Sequence, residues 1–144
     1  MTHAVEPARS ADLDAVISLL RDNALPVDGL SDHLATTLVV RDGDRIVGSA
    51  ALEVYGDGAL LRSVAVAPGL QRSGLGRTLT HAAIDLARER GLPALFLLTT
   101  TADGYFPRFG FERIERTQVP DTVRESVEFT SACPASAIVM RKVL

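Results

Sequence analysis

The sequence contains few of the residues that form disulfides, metal sites or large aromatic surfaces. Among 144 residues there is one cysteine, Cys133, and no tryptophan. A single thiol cannot form an internal disulfide, so we expect a reducing, cytoplasmic location and a structural role for this cysteine. The three histidines, His3, His33 and His81, lack the spacing of metal ligands, and the sequence therefore predicts no metal site.

The sequence also lacks a basic excess and a long apolar run. Its formal net charge is −3, whereas nucleic-acid binding usually needs a positively charged face. No segment approaches the roughly 20 apolar residues of a membrane-spanning helix. The stretch from Thr2 to Pro7 has neither the basic start nor the apolar run of a signal peptide. We therefore expect no nucleic-acid partner and no membrane partner.

The chain does contain enough apolar residues for a packed core. It is 47% hydrophobic and 23% charged, as is typical of a folded protein. Its length favours one domain over residues 1–144.

Apolar periodicity and turn residues predict an alternation of strands and helices. The predicted strands are His3 to Ala8, Leu38 to Val40, Arg45 to Tyr55, Ala59 to Val66, Ala94 to Thr99, Phe111 to Thr117 and Ala137 to Val143. The predicted helices are one that follows an N-cap at Ser10 and ends near Asn23, Leu30 to Ala35, one that follows Gly74 and runs to Arg90, Ala102 to Phe109, and a helical turn within Val119 to Val127. This order predicts an α+β fold, in which an antiparallel meander is joined to one strand-helix-strand crossover.

The stretch from Gln71 to Gly76 is the most informative part of the chain. A buried strand runs into this loop, which then opens an amphipathic helix. Unpaired N–H groups at a helix start, together with the helix dipole, favour a phosphate or pyrophosphate. Gly74 lets the backbone approach an anion, and Arg72 and Arg77 add positive charge. The alternative interpretation is a helix that merely begins with two glycines.

The motifs around this loop resemble those of the GNAT-type N-acetyltransferases. Val66-Ala67-Pro68 followed by Gln71-Arg72-Ser73-Gly74-Leu75-Gly76 matches the family's acetyl-CoA signature, and Tyr105 to Phe111 matches the Gly-Phe segment before its sixth strand. The resemblance covers nearly the whole chain in element order. It implies a mixed, mostly antiparallel sheet of about seven strands, with a bulge in strand four and a V-shaped opening between strands four and five.

The resemblance also implies that acetyl-CoA is the co-substrate and a small amine the acceptor. The pyrophosphate would lie on the amides from Gln71 to Arg77, and the pantetheine arm would pair with backbone near Val64 and Val66. The residues expected to bind the cofactor are Val64, Val66, Gln71, Arg72, Ser73, Gly74, Leu75, Gly76 and Arg77.

Several further segments are similar to GNAT proteins encoded in arsenic-resistance operons. They are Gly56-Asp57 with Ala59 to Ser63, Leu97 to Thr101, and Phe129 with Ser131 and Cys133-Pro134-Ala135-Ser136. This closer similarity implies an amino-acid-like toxin with an arsinate or phosphinate group as acceptor.

An alkylammonium ion must lose a proton before its nitrogen can attack a thioester. Glu53, near the end of the third strand, is the first candidate base, and the alternative is an ordinary strand carboxylate. Arg62 interrupts an apolar strand, so it clamps a substrate carboxylate or oxyanion, pairs with Glu53, or extends to the rim of the site. Ser63, beside it, is a candidate hydrogen-bond donor to the substrate, with a space-filling role as the alternative.

The general acid is less clear from the sequence. The family often has a tyrosine four residues before the glycine of Gly-Phe, where this chain has Phe106. Tyr105, its neighbour, is therefore the candidate acid. The alternatives are that Tyr105 only packs, and that water protonates the thiolate or no acid is needed. Thr99 and Thr100 replace an asparagine often found near the end of strand five, and we expect their hydroxyls to bind cofactor or substrate.

Three function classes follow from these observations. The leading one is direct acetyl transfer to a small amine. The absence of a tyrosine at Phe106 keeps open a CoA-binding sensor without catalysis, and a protein N-acetyltransferase is the third. An exposed last strand would also permit a homodimer.

Overall fold

The chain folds into one seven-stranded sheet with helices packed against it. A computed structural model describes residues 4–144, so His3 and its predicted strand position lie outside the described residues. The strands are β1 (Val5–Pro7), β2 (Thr37–Asp42), β3 (Arg45–Tyr55), β4 (Gly58–Val66), β5 (Ala94–Thr99), β6 (Glu112–Ile114) and β7 (Ile138–Val143). Their order across the sheet is β1-β2-β3-β4-β5-β7-β6.

The helices connect these strands in the predicted order. The α-helices are α1 (Leu13–Asp22), α2 (Leu75–Glu89) and α3 (Asp121–Arg124), the 3₁₀ turns are Ser10–Asp12, Leu30–Thr36, Phe106–Phe109 and Arg116–Gln118, and a π-helical turn covers Glu128–Ala132. No helix within residues 4–144 is long and apolar enough to cross a membrane.

The predicted mixed, mostly antiparallel sheet is confirmed. Only β4 and β5 are parallel, since α2 crosses over between them, and the other neighbouring strands are antiparallel. The parallel pair has just two register positions, Ala59 with Leu95 and Leu60 with Phe96. Beyond these positions the two strands separate, which gives the V-shaped opening that the family resemblance implies.

A bulge lies in β4 on the side that faces this opening. Ser49 pairs with Ala65 and Ala51 pairs with Arg62, so a single residue of β3 opposes both Ser63 and Val64. Ser63 has a φ of +60°, a left-handed conformation that is uncommon for a residue with a Cβ. A bulge of this kind leaves backbone groups without ladder partners and redirects the side chains around it.

The predicted helix from Ala102 to Phe109 is wrong in its first half. Only Phe106–Phe109 is helical, and it forms a single 3₁₀ turn. Pro107 donates no backbone hydrogen bond, and Gly104 raises the entropic cost of any longer helix.

The predicted strand from Phe111 to Thr117 is too long for a similar local reason. Strand β6 ends at Ile114, and a 3₁₀ turn begins at Arg116. The Glu115 amide donates to the side-chain oxygen of Gln118 at 2.9 Å, so the chain leaves the sheet at this position.

Helix α2 packs on the sheet through the apolar stripe that the sequence predicts. Leu79, Ala83 and Ala87 are fully buried, and burial of a leucine side chain contributes about 2 kcal/mol. A Cβ on Gly48 would lie 2.7 Å from a methyl carbon of Leu79. Because only glycine permits this close approach, the start of α2 is held firmly against β3 and β4.

Candidate active site

The turn before α2 contains a set of unpaired backbone amides. Arg72 and Gly74 have φ values of +69° and +91°, and such left-handed residues turn neighbouring N–H groups toward one side. Within the described part of the chain, no internal hydrogen bond engages the amides of Gln71, Arg72, Gly74, Leu75, Gly76 and Arg77. Since the positive end of the α2 dipole lies at the same place, the turn has the geometry and the charge of an anion site.

The side chain of Gln71 anchors this turn. Its Nε2 donates to Oδ1 of Asn23 at 3.1 Å and to the Val66 carbonyl at 3.3 Å. These bonds tie the loop to the end of α1 and to the end of β4.

A cavity of about 540 Å³, here called the loop cavity, lies against this turn. Three cationic side chains line it: Arg72, Arg77 and Arg108. Of the nine residues predicted to bind the cofactor, Ser73 and Leu75 alone do not line the loop cavity. Arg108 was missed by the sequence reasoning, because it reaches the cavity from the 3₁₀ turn after β5.

A second cavity of about 620 Å³, here called the strand cavity, fills the opening between β4 and β5. The predicted substrate residues Arg62, Ser63, Thr99 and Thr100 all line it. It shares Asn23, Val64 and Tyr105 with the loop cavity. The two cavities are therefore neighbours that meet beside the bulge.

Arg62 is completely buried and holds a network together at the wall of the strand cavity. Its Nη1 donates to Oε2 of Glu53 at 2.8 Å and to the Asp28 carbonyl at 2.7 Å, and its Nη2 donates to the Pro26 carbonyl at 3.2 Å. Its Nε lies 3.1 Å from Oε2 of Glu128 and 3.1 Å from the Ser63 hydroxyl. One guanidinium thus connects two carboxylates to the bulge.

Glu53 is fully buried and does not line the strand cavity. Its Oε1 accepts a hydrogen bond from the Tyr55 hydroxyl at 2.6 Å, and its Oε2 accepts from Arg62. Burial acts to raise the pKa of Glu53, but hydrogen bonds from Ser126, Tyr55 and Arg62 outweigh it and leave the pKa below its usual value. Arg62 forms the pair with Glu53 that was one of the alternatives for it, and because it also lines the strand cavity, its role as a clamp for a substrate oxyanion stays a prediction.

Glu128 is the acidic residue that the sequence reasoning missed. It is 4% exposed, lies in the π-helical turn and lines the strand cavity. Burial raises the pKa of Glu128, and although Arg62 opposes this, the neighbouring carboxylates of Glu53 and Asp28 add to it. The Cys133 thiol also lines the cavity and donates to Oε1 of Glu128 at 3.6 Å.

Tyr105 lies where the two cavities meet. A Cβ on Gly76 would be 3.4 Å from its hydroxyl oxygen, so this hydroxyl points toward the start of α2. Phe106 is buried and packs edge-on against the Tyr105 ring. Thr99 accepts a hydrogen bond from the Ala102 amide at 2.8 Å, which fixes the end of β5. No cluster of three or more potential metal-ligating side chains occurs among residues 4–144.

Comparisons with known proteins identify the relatives of this chain. The sequence model described as the acetyltransferase (GNAT) family matches residues 3–111. Amino-acid acetyltransferase of Neisseria meningitidis is 27% identical over 133 residues, which are 85% of this chain and 30% of that protein. Uncharacterized N-acetyltransferase CT2212 of Chlorobaculum tepidum is 28% identical over 127 residues, with 83% of this chain and 81% of that protein covered.

A solved structure shows the same fold with a ligand bound. Rv2747 from Mycobacterium tuberculosis, in complex with CoA and NLQ, superposes with a TM-score of 0.82 at 27% identity, covering 98% of this chain and 99% of that one. The chain spans only about 30% of the length of the Neisseria relative.

Proposed function

This chain belongs to the GNAT acetyltransferase family, whose members are acyltransferases that use acetyl-CoA as co-substrate, and from this premise we propose that it acetylates the amino group of a small, amino-acid-like molecule. The observation that carries the proposal is the contact between the two cavities. An anion-binding turn opens onto a second, small cavity through Val64 at the bulge. A phosphorylated donor on one side and an amine on the other would meet at this residue.

The loop cavity supports the binding of the donor. Unpaired amides from Gln71 to Arg77 would hold the pyrophosphate, with Arg72, Arg77 and Arg108 supplying charge. Val64 and Val66 lie in the splayed half of β4, where the pantetheine arm would pair with their backbone. The bulge at Ser63 and Val64 would place an N–H against the thioester carbonyl, where negative charge develops during transfer. Tyr105 is the proposed donor of a proton to the leaving thiolate.

The strand cavity supports a small acceptor. Its volume of about 620 Å³ lies within the range of small-molecule sites, and relatives such as the Neisseria protein are named amino-acid acetyltransferases. We further propose that the acceptor is an amino acid analogue with an arsinate or phosphinate group. The hydroxyls of Thr99, Thr100 and Thr101 line the cavity and are suitable donors to such an oxyanion.

A thiol-release assay tests this function. The purified chain is incubated with acetyl-CoA and a panel that holds the twenty protein amino acids, glutamate analogues with arsinate or phosphinate groups, and a short peptide with a free N-terminus. We expect turnover on a free amino acid or an analogue. Calorimetric binding of CoA without turnover on any amine would instead support a sensor, and a preference for the peptide would support a protein acetyltransferase.

A further inference from the structure

We infer that Glu128 is the catalytic carboxylate that takes the proton from the acceptor ammonium, and that Glu53 positions Arg62. The inference presupposes the acetyl transfer proposed above, and it changes the assignment of the base from the strand carboxylate to the π-helical one.

Access to the acceptor separates the two carboxylates. Glu128 lines the strand cavity, whereas Glu53 does not. Both carboxylates have partners: Glu53 accepts from Tyr55 and Arg62, and Glu128 accepts from the Cys133 thiol and contacts Arg62. They differ in that Glu53 is enclosed and Glu128 faces the cavity. A base must reach the proton that it removes directly or through one water molecule. Among the acidic residues that the structure describes, Glu128 alone lines the strand cavity.

The position of Glu128 relative to the bulge gives a second argument. The Nε of Arg62 lies 3.1 Å from Oε2 of Glu128 and 3.1 Å from the hydroxyl of Ser63. The same nitrogen therefore hydrogen-bonds to the bulge residue and forms an ion pair with the carboxylate. Because the bulge is where the thioester carbonyl is expected, this places the proton acceptor at the part of the cavity wall next to the bulge. The Pro26 and Asp28 carbonyls fix the guanidinium in turn.

The charges around the cavity wall give a third argument. One guanidinium faces two carboxylates, and Asp28 adds a further negative charge nearby. His33 contacts Glu53, with its Nε2 at 3.6 Å from Oε1, and Arg116 lies near Cys133, where its Nη2 donates to the Pro134 carbonyl at 3.2 Å. The Cys133 thiol, which donates to Glu128, is neutral because burial raises its pKa to about 12. Two carboxylates thus share the Arg62 guanidinium at this wall, which favours an ammonium ion in the cavity beside Glu128.

The proton affinity of Glu128 suits this role. Its pKa lies above the usual value of 4.5, chiefly because it is buried, and a base is most effective when its pKa is near the working pH. Glu53 has a lowered pKa, which makes it the weaker proton acceptor of the two.

The transfer then balances as follows. The acceptor ammonium gives one proton to Glu128, and the neutral nitrogen forms a bond to the acetyl carbonyl carbon. The carbon–sulfur bond breaks, and CoA leaves as a thiolate. The thiolate takes the hydroxyl proton of Tyr105, which gives free CoA thiol. The nitrogen of the new amide loses its second proton, which passes through water and restores the Tyr105 hydroxyl. Glu128 returns its proton to water.

The decisive experiment compares Glu128→Gln with a matched control, Glu125→Gln. Glu125 is exposed and lies three residues before Glu128. With acetyl-CoA and the amino acid acetylated fastest in the panel, we expect Glu128→Gln to lower kcat about 100-fold or more. We expect the calorimetric Kd for CoA to stay within twofold, and Glu125→Gln to match the unchanged chain in every measurement.

The pH profile and the nature of the amine distinguish a base from a structural residue. We expect kcat of the unchanged chain to rise with pH as Glu128 loses its proton, and we expect this rise to be absent in Glu128→Gln. An aminooxy analogue of the same acceptor is already neutral at pH 7, so its acetylation should lose less than tenfold in the variant. An equal loss for both amines, or an unchanged pH profile, would overturn the inference.

Folding and rescue measurements cover the remaining outcomes. A raised carboxyl pKa costs stability at neutral pH, so Glu128→Gln should unfold at the same or a higher urea concentration. Added acetate should restore part of the activity of Glu128→Ala, and no restoration would count against the base role. If the unchanged chain acetylates no amine, the proposed function fails; if it is active and Glu128→Gln is equally active, only the present inference fails.

Discussion

The charge of the turn before α2 can be tested with two nearly isosteric substitutions of one glycine. Gly74 has a φ of +91°, and an added Cβ there would meet no atom within 4 Å. Gly74→Asn and Gly74→Asp therefore share the same backbone strain of about 1–2 kcal/mol, and neither creates a steric clash. The two variants differ in one negative charge at the centre of the unpaired amides.

The magnitude follows from Coulomb's law. At about 5 Å and an effective dielectric constant of about 40, one pair of unit charges interacts with about 1.7 kcal/mol, so the roughly two charges of a diphosphate give about 3 kcal/mol. This energy corresponds to about 100-fold in Kd. We expect Gly74→Asp to bind CoA about 100-fold more weakly than Gly74→Asn, while Gly74→Asn loses about tenfold or less relative to the unchanged chain.

Isothermal titration calorimetry measures both dissociation constants. The ratio of the two dissociation constants should decrease at high salt, because salt screens the repulsion between the added carboxylate and the diphosphate. Urea unfolding should give similar stabilities for the two variants. If Gly74→Asp binds CoA as tightly as Gly74→Asn at low salt, the diphosphate does not lie on these amides, and the assignment of the loop cavity is refuted.

Three further predictions concern the ion pairs and the thiol. Glu53→Gln should lower the free energy of unfolding by about 3–5 kcal/mol, since it removes a hydrogen-bonded partner of the buried Arg62; urea denaturation with a loss under 1 kcal/mol would contradict this. Arg41 lowers the pKa of Asp12 from 3.8 to about 2, so up to about 2 kcal/mol of stability is present above pH 3.8 and is lost as the pH falls toward 2; Asp12→Asn should remove this part of the acid sensitivity in pH-dependent urea unfolding. Burial raises the pKa of Cys133 from 9.0 to about 12. Because the thiolate is the reactive form, iodoacetamide should alkylate the native chain about 1000-fold more slowly than the urea-unfolded chain. Comparable alkylation rates would refute the buried environment of this thiol.

The local sequence pattern was sufficient to predict much of the fold. Strands β3 and β5 have the predicted bounds, because turn residues mark their ends and their apolar residues suit a buried sheet. Helix α2 was equally clear, since Gly74 precedes it and its apolar stripe has helical spacing. The short segment before Gly110 could not be predicted as well, because helical spacing over a few residues does not distinguish a 3₁₀ turn from an α-helix.

The candidate site was only partly predictable. The loop from Gln71 to Gly76 is one continuous segment, so its sequence motif was enough to predict the conformation of the anion-binding turn. The cluster at Arg62 depends instead on a long-range contact with Glu128, from a π-helical turn that has no sequence signature. Sequence reasoning also left the partner of Arg62 open, because strand register decides which residues face Glu53.

The two-position pairing of β4 with β5 has a consequence for the dynamics of the sheet. Within the described residues, backbone pairing joins the β1–β4 part of the sheet to the β5–β7–β6 part at only these two register positions, so few backbone hydrogen bonds resist relative movement along the shared edge. A linear co-substrate that pairs with the free part of β4 would act as a temporary eighth strand. Binding of this co-substrate would then reduce relative movement of the two parts of the sheet and slow amide hydrogen exchange at the far ends of β4 and β5. Catalytic activity would thereby depend on closure of the opening between these two strands.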